Sequence, residues 1–345
     1  MFDWVDAGPG TAVGDLYEDR FRIVAAAEDA GLSAYHMAEH HSTPLGVAPS
    51  PSVFLAALSQ RTTRIKLIPS VYLLPMYSPF RLAEEICMLD HLARGRFEFG
   101  IGRGASKWEA MGFGVGPDVA KPMMEEAFEA LLGALRTGVI DHHGEHYDYD
   151  RIQTVIRPFQ APNPPVWYAP GTPETVQWSA RHSINILANT TAAKFAPLVD
   201  LYHATRQDGL DPDPVNPHVD EPKVGLSRQI FVAPTDGEAI ELARAAYSSF
   251  VHNFTALWHQ NGDHGVDRIR SGFEADCERG ILIVGSPAQV QDTVARDIEI
   301  SGANYLTGSF AWGGLSTEHV IRSIELFASD VAPGLTRPSV TGRAG

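Results

Sequence analysis

At 345 residues, with 44% hydrophobic and 20% charged side chains, the chain has the composition of a soluble globular protein with a sizeable core. Its 42 acidic residues against 27 basic ones give a formal charge of −15, which repels nucleic acid and anionic lipid and excludes both as expected partners. Two cysteines, Cys87 and Cys277, are too few for a disulfide framework or a cysteine-built zinc site. The sequence shows no apolar run of roughly 20 residues and no signal-peptide order in "MFDWVDAGPG", so a reducing cytoplasm is the expected compartment.

In chain order, "FDWV" reads as a strand, and residues 16–30 read as a helix stopped by Gly31. "SAYHMAEH" is the next strand, followed by a helix over 51–60 with proline in its first turn. "RIKLIPSVYLL" predicts one strand; Ser78-Pro79 then caps a helix over 79–93 that stops at Gly95. "RFEFGIG" is followed by a loop and a helix over 123–135. The rhythm repeats in "PPVWYAP", "GTPETVQWSARHS", "INILANT" and a helix over 192–205. "KVGLSRQIFVA", a helix over 236–258, "ANYLTGSF" and "STEHVIRSIELFASDV" complete it. Such alternation implies parallel strands with helical crossovers, and about eight units predict an α/β fold of the (β/α)8 TIM-barrel type. Residues 103–120, 209–222 and 260–280 read as extended βα-loops at the C-terminal face. With no linker or repeat in view, a single barrel domain over 1–345 is expected.

In a parallel barrel, chemistry gathers where the strands end. The first such place is Glu39-His40-His41. Its histidines are open to three readings: a proton-transfer group near neutral pH, a metal pair, or packed and solvated side chains. No H-E-x-x-H or second H-x-H spacing at a strand end supports a metal, and none is expected. His142, His143 and His146 in "DHHGEHYDYD" read instead as a surface hairpin. The second place is "FEFGIGRGASKW", whose glycines admit a ligand close to the backbone and whose Arg103 offers a forked donor for phosphate. "GIGRGA" also satisfies a dinucleotide fingerprint, but Glu125 and Glu126 fall inside a helix rather than at the strand end the motif requires. The third place is "PGTPETVQW", where Thr172, Pro173 and Thr175 start a helix with free amides and two hydroxyls, an anion site. Arg103 and this helix start follow neighbouring strands and are expected to grip one phosphate.

"AEHH", "MLDHLARGRFEFGIGRG", "PPVWYAPGTPETVQWSAR" and "IVGSPAQV…SGANYL", in this order over nearly the whole chain, resemble the bacterial luciferase-like family of flavin-dependent monooxygenases. The resemblance implies a luciferase-like barrel and an oxidoreductase that takes reduced FMN from a separate flavin reductase. With O2 it would oxygenate a small organic substrate such as an aldehyde or ketone. Carried over residue by residue, His40 matches the family's catalytic histidine beside the flavin, and Glu39 its neighbouring glutamate. Arg103 and the backbone at Ala105 match phosphate contacts, and Thr172 and Thr175 match hydroxyl contacts. Ser70-Val71 stands where the family often has a non-prolyl cis peptide under the flavin ring. Gly171 replaces an acidic residue of luciferase, so that contact is lost or becomes a backbone contact. The short "MFDWV" start departs from the family's first strand. Trp108, Phe113 and Trp312 are expected to line the substrate side, and a homodimer is expected. Three rivals stand beside this reading: an F420-dependent hydride-transfer enzyme of the same fold, a non-catalytic flavin-binding protein, and a metal-dependent barrel hydrolase on His40 and His41. Arg103 favours FMN over F420, while Ser70-Val71 leans the other way.

Overall fold

The computed structural model describes residues 1–8 and 10–335. Its first half runs β1 (Phe2–Asp3), α1 (Val13–Asp29), β2 (Ala34–Met37), α2 (Pro51–Ser59), β3 (Lys66–Pro69), β4 (Tyr72–Leu73), α3 (Pro79–Leu92) and β5 (Phe99–Gly102). Next come α4 (Lys107–Gly112), α5 (Ala120–Thr137), the strands β6 (Val139–His143) and β7 (Asp148–Gln153), β8 (Val166–Tyr168), α6 (Pro173–Arg181) and β9 (Asn185–Ala188). The chain ends with α7 (Ala192–Asp208), β10 (Val224–Val232), α8 (Asp236–Gln260), α9 (Phe273–Glu278), β11 (Leu282–Gly285), α10 (Pro287–Ser301), β12 (Tyr305–Ser309) and α11 (Thr317–Leu326). Among these helices none is long and apolar enough to cross a membrane.

β1, β2 and β3 pair in parallel, and so do β4, β5, β8, β9, β10 and β12 in that order. A bridge between Leu67 and Phe97 joins the two groups, and β12 lies beside β1. This is the (β/α)8 TIM barrel that the alternation predicts. The brief β1 does complete the first strand position, with Phe2 opposite His36 and Asp3 opposite Met37. Along each strand, side chains alternate between two surroundings. Phe2, Ala34, Ala38, Ile68, Trp167 and Leu187 pack together inside the barrel, while Tyr35, Met37, Leu67, Phe99 and Val166 pack under the helices. Each such large apolar side chain contributes about 1.5–3 kcal/mol through burial.

Three details depart from the sequence reading. "RIKLIPSVYLL" is two strands, because β3 pairs with β2 whereas β4 pairs with β5. The chain changes neighbours at Ser70-Val71, and that peptide is cis, as the family resemblance implied. An extra strand, β11, and the helix α10 behind it lie outside the eight-unit count. The nine-residue β10 makes room for them, pairing with β12 over Gly225–Gln229 and with β11 over Gln229–Val232. The glycines of "GIG" serve packing rather than ligand approach. A Cβ on Gly102 would lie 2.5 Å from Val71 Cγ2, and one on Gly100 would lie 2.8 Å from the Pro69 carbonyl oxygen.

Two polar clusters hold the frame. Arg20 Nε lies 3.2 Å from Asp3 Oδ2, which also accepts from the Tyr35 hydroxyl at 3.0 Å. Asp6 Oδ2 accepts from the Gly313 amide at 2.8 Å and from Asn253 Nδ2 at 3.2 Å. The histidine-rich segment is the antiparallel surface hairpin β6–β7, as expected. Glu126 of α5 clasps it by accepting from the His146 and Tyr147 amides at 3.0 and 2.6 Å.

Gly102→Ala is therefore expected to lower stability by about 1–3 kcal/mol through overpacking on Val71. Gly133→Ala, in open space on α5, is expected to raise it by up to about 1 kcal/mol. Urea unfolding of both variants checks the pair, and equal shifts would contradict the packing argument.

Candidate active site

β2 ends at Met37, and the three residues read as chemical, Glu39, His40 and His41, form the loop just beyond it. Glu39 is buried, 3% exposed, and such a carboxylate needs donors. Its Oε1 lies 2.8 Å from His41 Nε2, and its Oε2 accepts from the Leu73 amide at 3.2 Å. Burial pushes the Glu39 carboxyl above its ordinary range, while His41, the Leu73 amide and the Tyr77 hydroxyl pull the other way.

A second buried carboxylate, Glu109, completes the clasp. Ser106 caps α4 through the Glu109 amide at 3.4 Å, which fixes the glutamate in the first helical turn. Glu109 Oε1 then sits 3.1 Å from His40 Nδ1, and Oε2 accepts from the His41 amide at 2.9 Å. The His40 ring is stacked on Trp4, with centroids 5.4 Å apart. A Cβ on Gly46 would come 2.7 Å from His40 Cβ, so the loop packs tightly behind it. With Nδ1 committed to Glu109, Nε2 is the ring nitrogen left for chemistry. Sequence reasoning missed Glu109; the signal was the Ser-x-x-Glu spacing of 106–109, a helix-start signature inside an assumed loop.

The remaining predicted residues lie on the same edge of the barrel, at the ends of consecutive strands. Ser70 and Val71 follow β3 and are half-exposed. Arg103 follows β5, is exposed, and forms no hydrogen bond or ion pair among the described residues. Its charge acts on the Tyr168 hydroxyl at the end of neighbouring β8. Gly104 turns the chain with φ +89°, leaving Ala105 exposed. Beyond β8, Gly171 is open, with nothing within 4 Å of an added Cβ. Thr172 and Thr175 cap each other: Thr172 Oγ1 accepts from the Thr175 amide at 3.4 Å, and Thr175 Oγ1 accepts from the Thr172 amide at 3.2 Å. Their hydroxyls are thus engaged within α6, and no hydrogen bond joins them to Arg103 among the described residues. Glu174 in the same turn stays ionised, held below the usual carboxylate range by the Thr172 side chain.

Of the expected pocket aromatics, Phe113 is exposed and stands edge-on to the His41 ring at 4.7 Å. Trp108 is half-buried with Lys107 over its ring at 4.7 Å. Trp312, beyond the end of β12, is buried rather than open to the mouth. It is 1% exposed, donates to the Ser309 carbonyl at 3.0 Å and packs in the core against Phe231 and Tyr247.

Comparison with known proteins places these features in a family. A family model described as luciferase-like monooxygenase matches residues 3–305. The uncharacterized protein y4wF of Sinorhizobium fredii is 36% identical over 91% of this chain and 90% of its own length. The oxygenase component of flavin-dependent trigonelline monooxygenase from Acinetobacter baylyi is 25% identical, over 95% and 92%. Two solved structures share the fold. The oxygenating constituent of 3,6-diketocamphane monooxygenase from Pseudomonas putida, in complex with FMN, has a TM-score of 0.82, 20% identity and 98% coverage of both chains. The coenzyme F420-dependent tetrahydromethanopterin reductase from Methanopyrus kandleri has a TM-score of 0.71, 18% identity and coverage of 97% and 99%.

Because the raised Glu39 carboxyl binds its proton more tightly in the folded chain, its contribution to stability is full at low pH and declines as pH rises above its ordinary 4.5. Wild type is expected to lose stability relative to Glu39→Gln over that rise, measured by urea midpoints at a series of pH values. A constant difference would contradict it.

Proposed function

The chain belongs to the luciferase-like monooxygenase family, and on that premise we propose that it is the oxygenase of a two-component system, using reduced FMN from a separate flavin reductase and O2 to oxygenate a small organic substrate. The observation that carries the cofactor is the Arg103 guanidinium, without a hydrogen-bond or ion-pair partner among the described residues, at the end of β5 next to the strand that leads into α6. A forked cation without a partner among the described residues, close to a helix start, suits a dianionic phosphate. Arg103 and the backbone at Ala105 and Gly171 would hold that group, with the Thr172–Thr175 capping box shaping the turn rather than carrying the charge. Ser70 and Val71 would lie against the flavin ring. Reduced FMN would supply the activation of oxygen.

The chain's own part is to position, to exclude water and to move protons. His40, its Nδ1 held by Glu109, transfers the proton through Nε2. Glu39 is a positioning residue: it ties His41 to the Leu73 amide and so fixes the loop that presents His40. Phe113, over the His41 ring, shields the mouth. An F420-dependent hydride-transfer reading is second, favoured by the fold shared with the Methanopyrus reductase, and Arg103 weighs against it. Fluorescence titration with FMN and with F420 separates the two.

Arg103→Ala is expected to weaken FMN binding roughly tenfold to hundredfold, the worth of a charge-assisted contact, and to leave riboflavin binding, which involves no phosphate, unchanged. Equal losses for both ligands would remove Arg103 from the phosphate site. His40→Ala is expected to slow turnover at least about a hundredfold with FMN affinity retained. Full-rate turnover by that variant, in a steady-state oxygen-consumption assay, would remove His40 from the mechanism.

A further inference from the structure

One polar side chain is sealed inside the barrel wall with both ring nitrogens engaged. His36 on β2 is fully buried; its Nδ1 lies 2.8 Å from Ser70 Oγ and its Nε2 lies 2.9 Å from the Tyr305 hydroxyl. The two residues that carry these hydroxyls stand at opposite strand ends. Ser70 is half-exposed at the C-terminal edge, beside the residues assigned to the cofactor. Tyr305, the first residue of β12, lines a cavity of about 460 Å³ at the N-terminal ends of the strands. Lys66, Glu98, Trp167 and Asn185 line the same cavity.

Several features hold this row in place. The Trp167 ring stands edge-on to His36 at 4.9 Å. Gly225 leaves room for the Tyr305 ring, since a Cβ there would lie 2.9 Å from Tyr305 Cδ1. The Ser70 amide donates to the Met37 carbonyl at 2.7 Å, which fixes the upper end. Burial, with Lys66 acting in the same direction, holds His36 well below the usual histidine range, so the ring is neutral. Burial likewise keeps the Tyr305 hydroxyl protonated. A neutral imidazole between two hydroxyls accepts at one nitrogen and donates at the other, and a change of tautomer reverses the direction.

We infer that Tyr305, His36 and Ser70 form a proton relay from the cavity on the floor of the barrel to the cofactor face. In one passage, the Tyr305 O–H proton moves to His36 Nε2, which leaves the ring as its Nε2–H tautomer, while water in the floor cavity returns a proton to the Tyr305 oxygen and the hydroxide so formed exchanges with bulk solvent. The Nδ1 proton of His36 moves to Ser70 Oγ, and the original Ser70 proton leaves to the basic atom above it. One proton enters and one leaves; no heavy-atom bond changes and no electron is transferred. Lys66 and Glu98, which form an ion pair with each other, share the cavity wall with His218, Asp220, Glu221 and Lys223, and the Trp167 indole N–H donates to Glu98 Oε2 at 2.6 Å. The inference rests on the proposed function only for the identity of the acceptor above Ser70. His36 and Tyr305 act through Ser70 and are positioning residues for the chemistry.

The first test uses the full chain without flavin, labelled with ¹⁵N-histidine, with the His36 signals assigned by their loss in His36→Gln. Tyr305→Phe keeps the ring and removes only the hydroxyl. It is expected to slow solvent exchange of the His36 N–H about a hundredfold, the usual size of a lost proton-transfer group. Unchanged exchange overturns the relay. The second test uses His36→Gln, which keeps hydrogen-bonding atoms but has no second tautomer, loaded with reduced FMN and mixed with oxygen. Wild type is expected to give a curved dependence of the reoxidation rate on solvent deuterium content, and the variant a linear one. A merely structural role would shift affinity and leave the curvature, and retained curvature also overturns the relay. If wild-type protein binds no flavin, the functional reading fails while the exchange experiment still decides the relay.

Discussion

Two buried carboxylates organise the mouth of the barrel. Moving an ion of this kind out of water costs several kcal/mol unless donors surround it. Glu39 and Glu109 find those donors in four places: the His41 ring, the His41 backbone, the His40 ring and the Leu73 amide. Apart from the His41 ring, two residues along the same loop from Glu39, each donor belongs to a different piece of chain from its acceptor. The loop after β2, the crossover into β4 and the helix α4 are thereby tied together, although no backbone ladder joins all three. The placement of His40 is a consequence of this arrangement. An imidazole alone on that loop has no reason to keep one ring orientation.

The same economy governs charge at longer range. A chain of formal charge −15 disfavours the approach of a phosphate from far away. That field is screened beyond about 8 Å at physiological salt, so local groups decide the outcome close in. Among the described residues Arg103 carries its charge with no carboxylate bound to it, whereas many of the other arginines and lysines are paired. Glu174 stands in the first turn of α6 and works against an anion there, which places the more weight on the guanidinium.

Much of this frame was legible in the sequence, because its helices carry their own punctuation. Ser78-Pro79 and Thr172-Pro173 were readable as starts, and each hydroxyl does accept from a first-turn amide, as does that of Ser50, which precedes the first-turn proline of α2. The break inside "RIKLIPSVYLL" was not legible, because the apolar pattern runs on unchanged while the pairing partner switches from β2 to β5. β11 went unnoticed because four residues carry little periodicity and eight units had already been found. Trp312 was misplaced for a related reason: an aromatic after a strand end looks like a rim residue until a backbone carbonyl is found for its indole nitrogen. The family resemblance supplied the cis peptide at Ser70-Val71, which no local pattern of residue types announces. Glu109 was hidden by distance, 69 residues from the histidine it holds.

The seam between β1 and β12 has a further consequence, for biosynthesis. No backbone ladder crosses it among the described residues, and what spans it includes Asp6, gripping the amide of Gly313 and the side chain of Asn253. Asp6 therefore waits for a partner made 307 residues later. Contacts of such long sequence separation form slowly. A ribosome-bound intermediate would hold its first two strands against α1 with one edge uncovered until the last strand emerges. Closure of the ring is then a late event, and the candidate site along its rim is complete only after it.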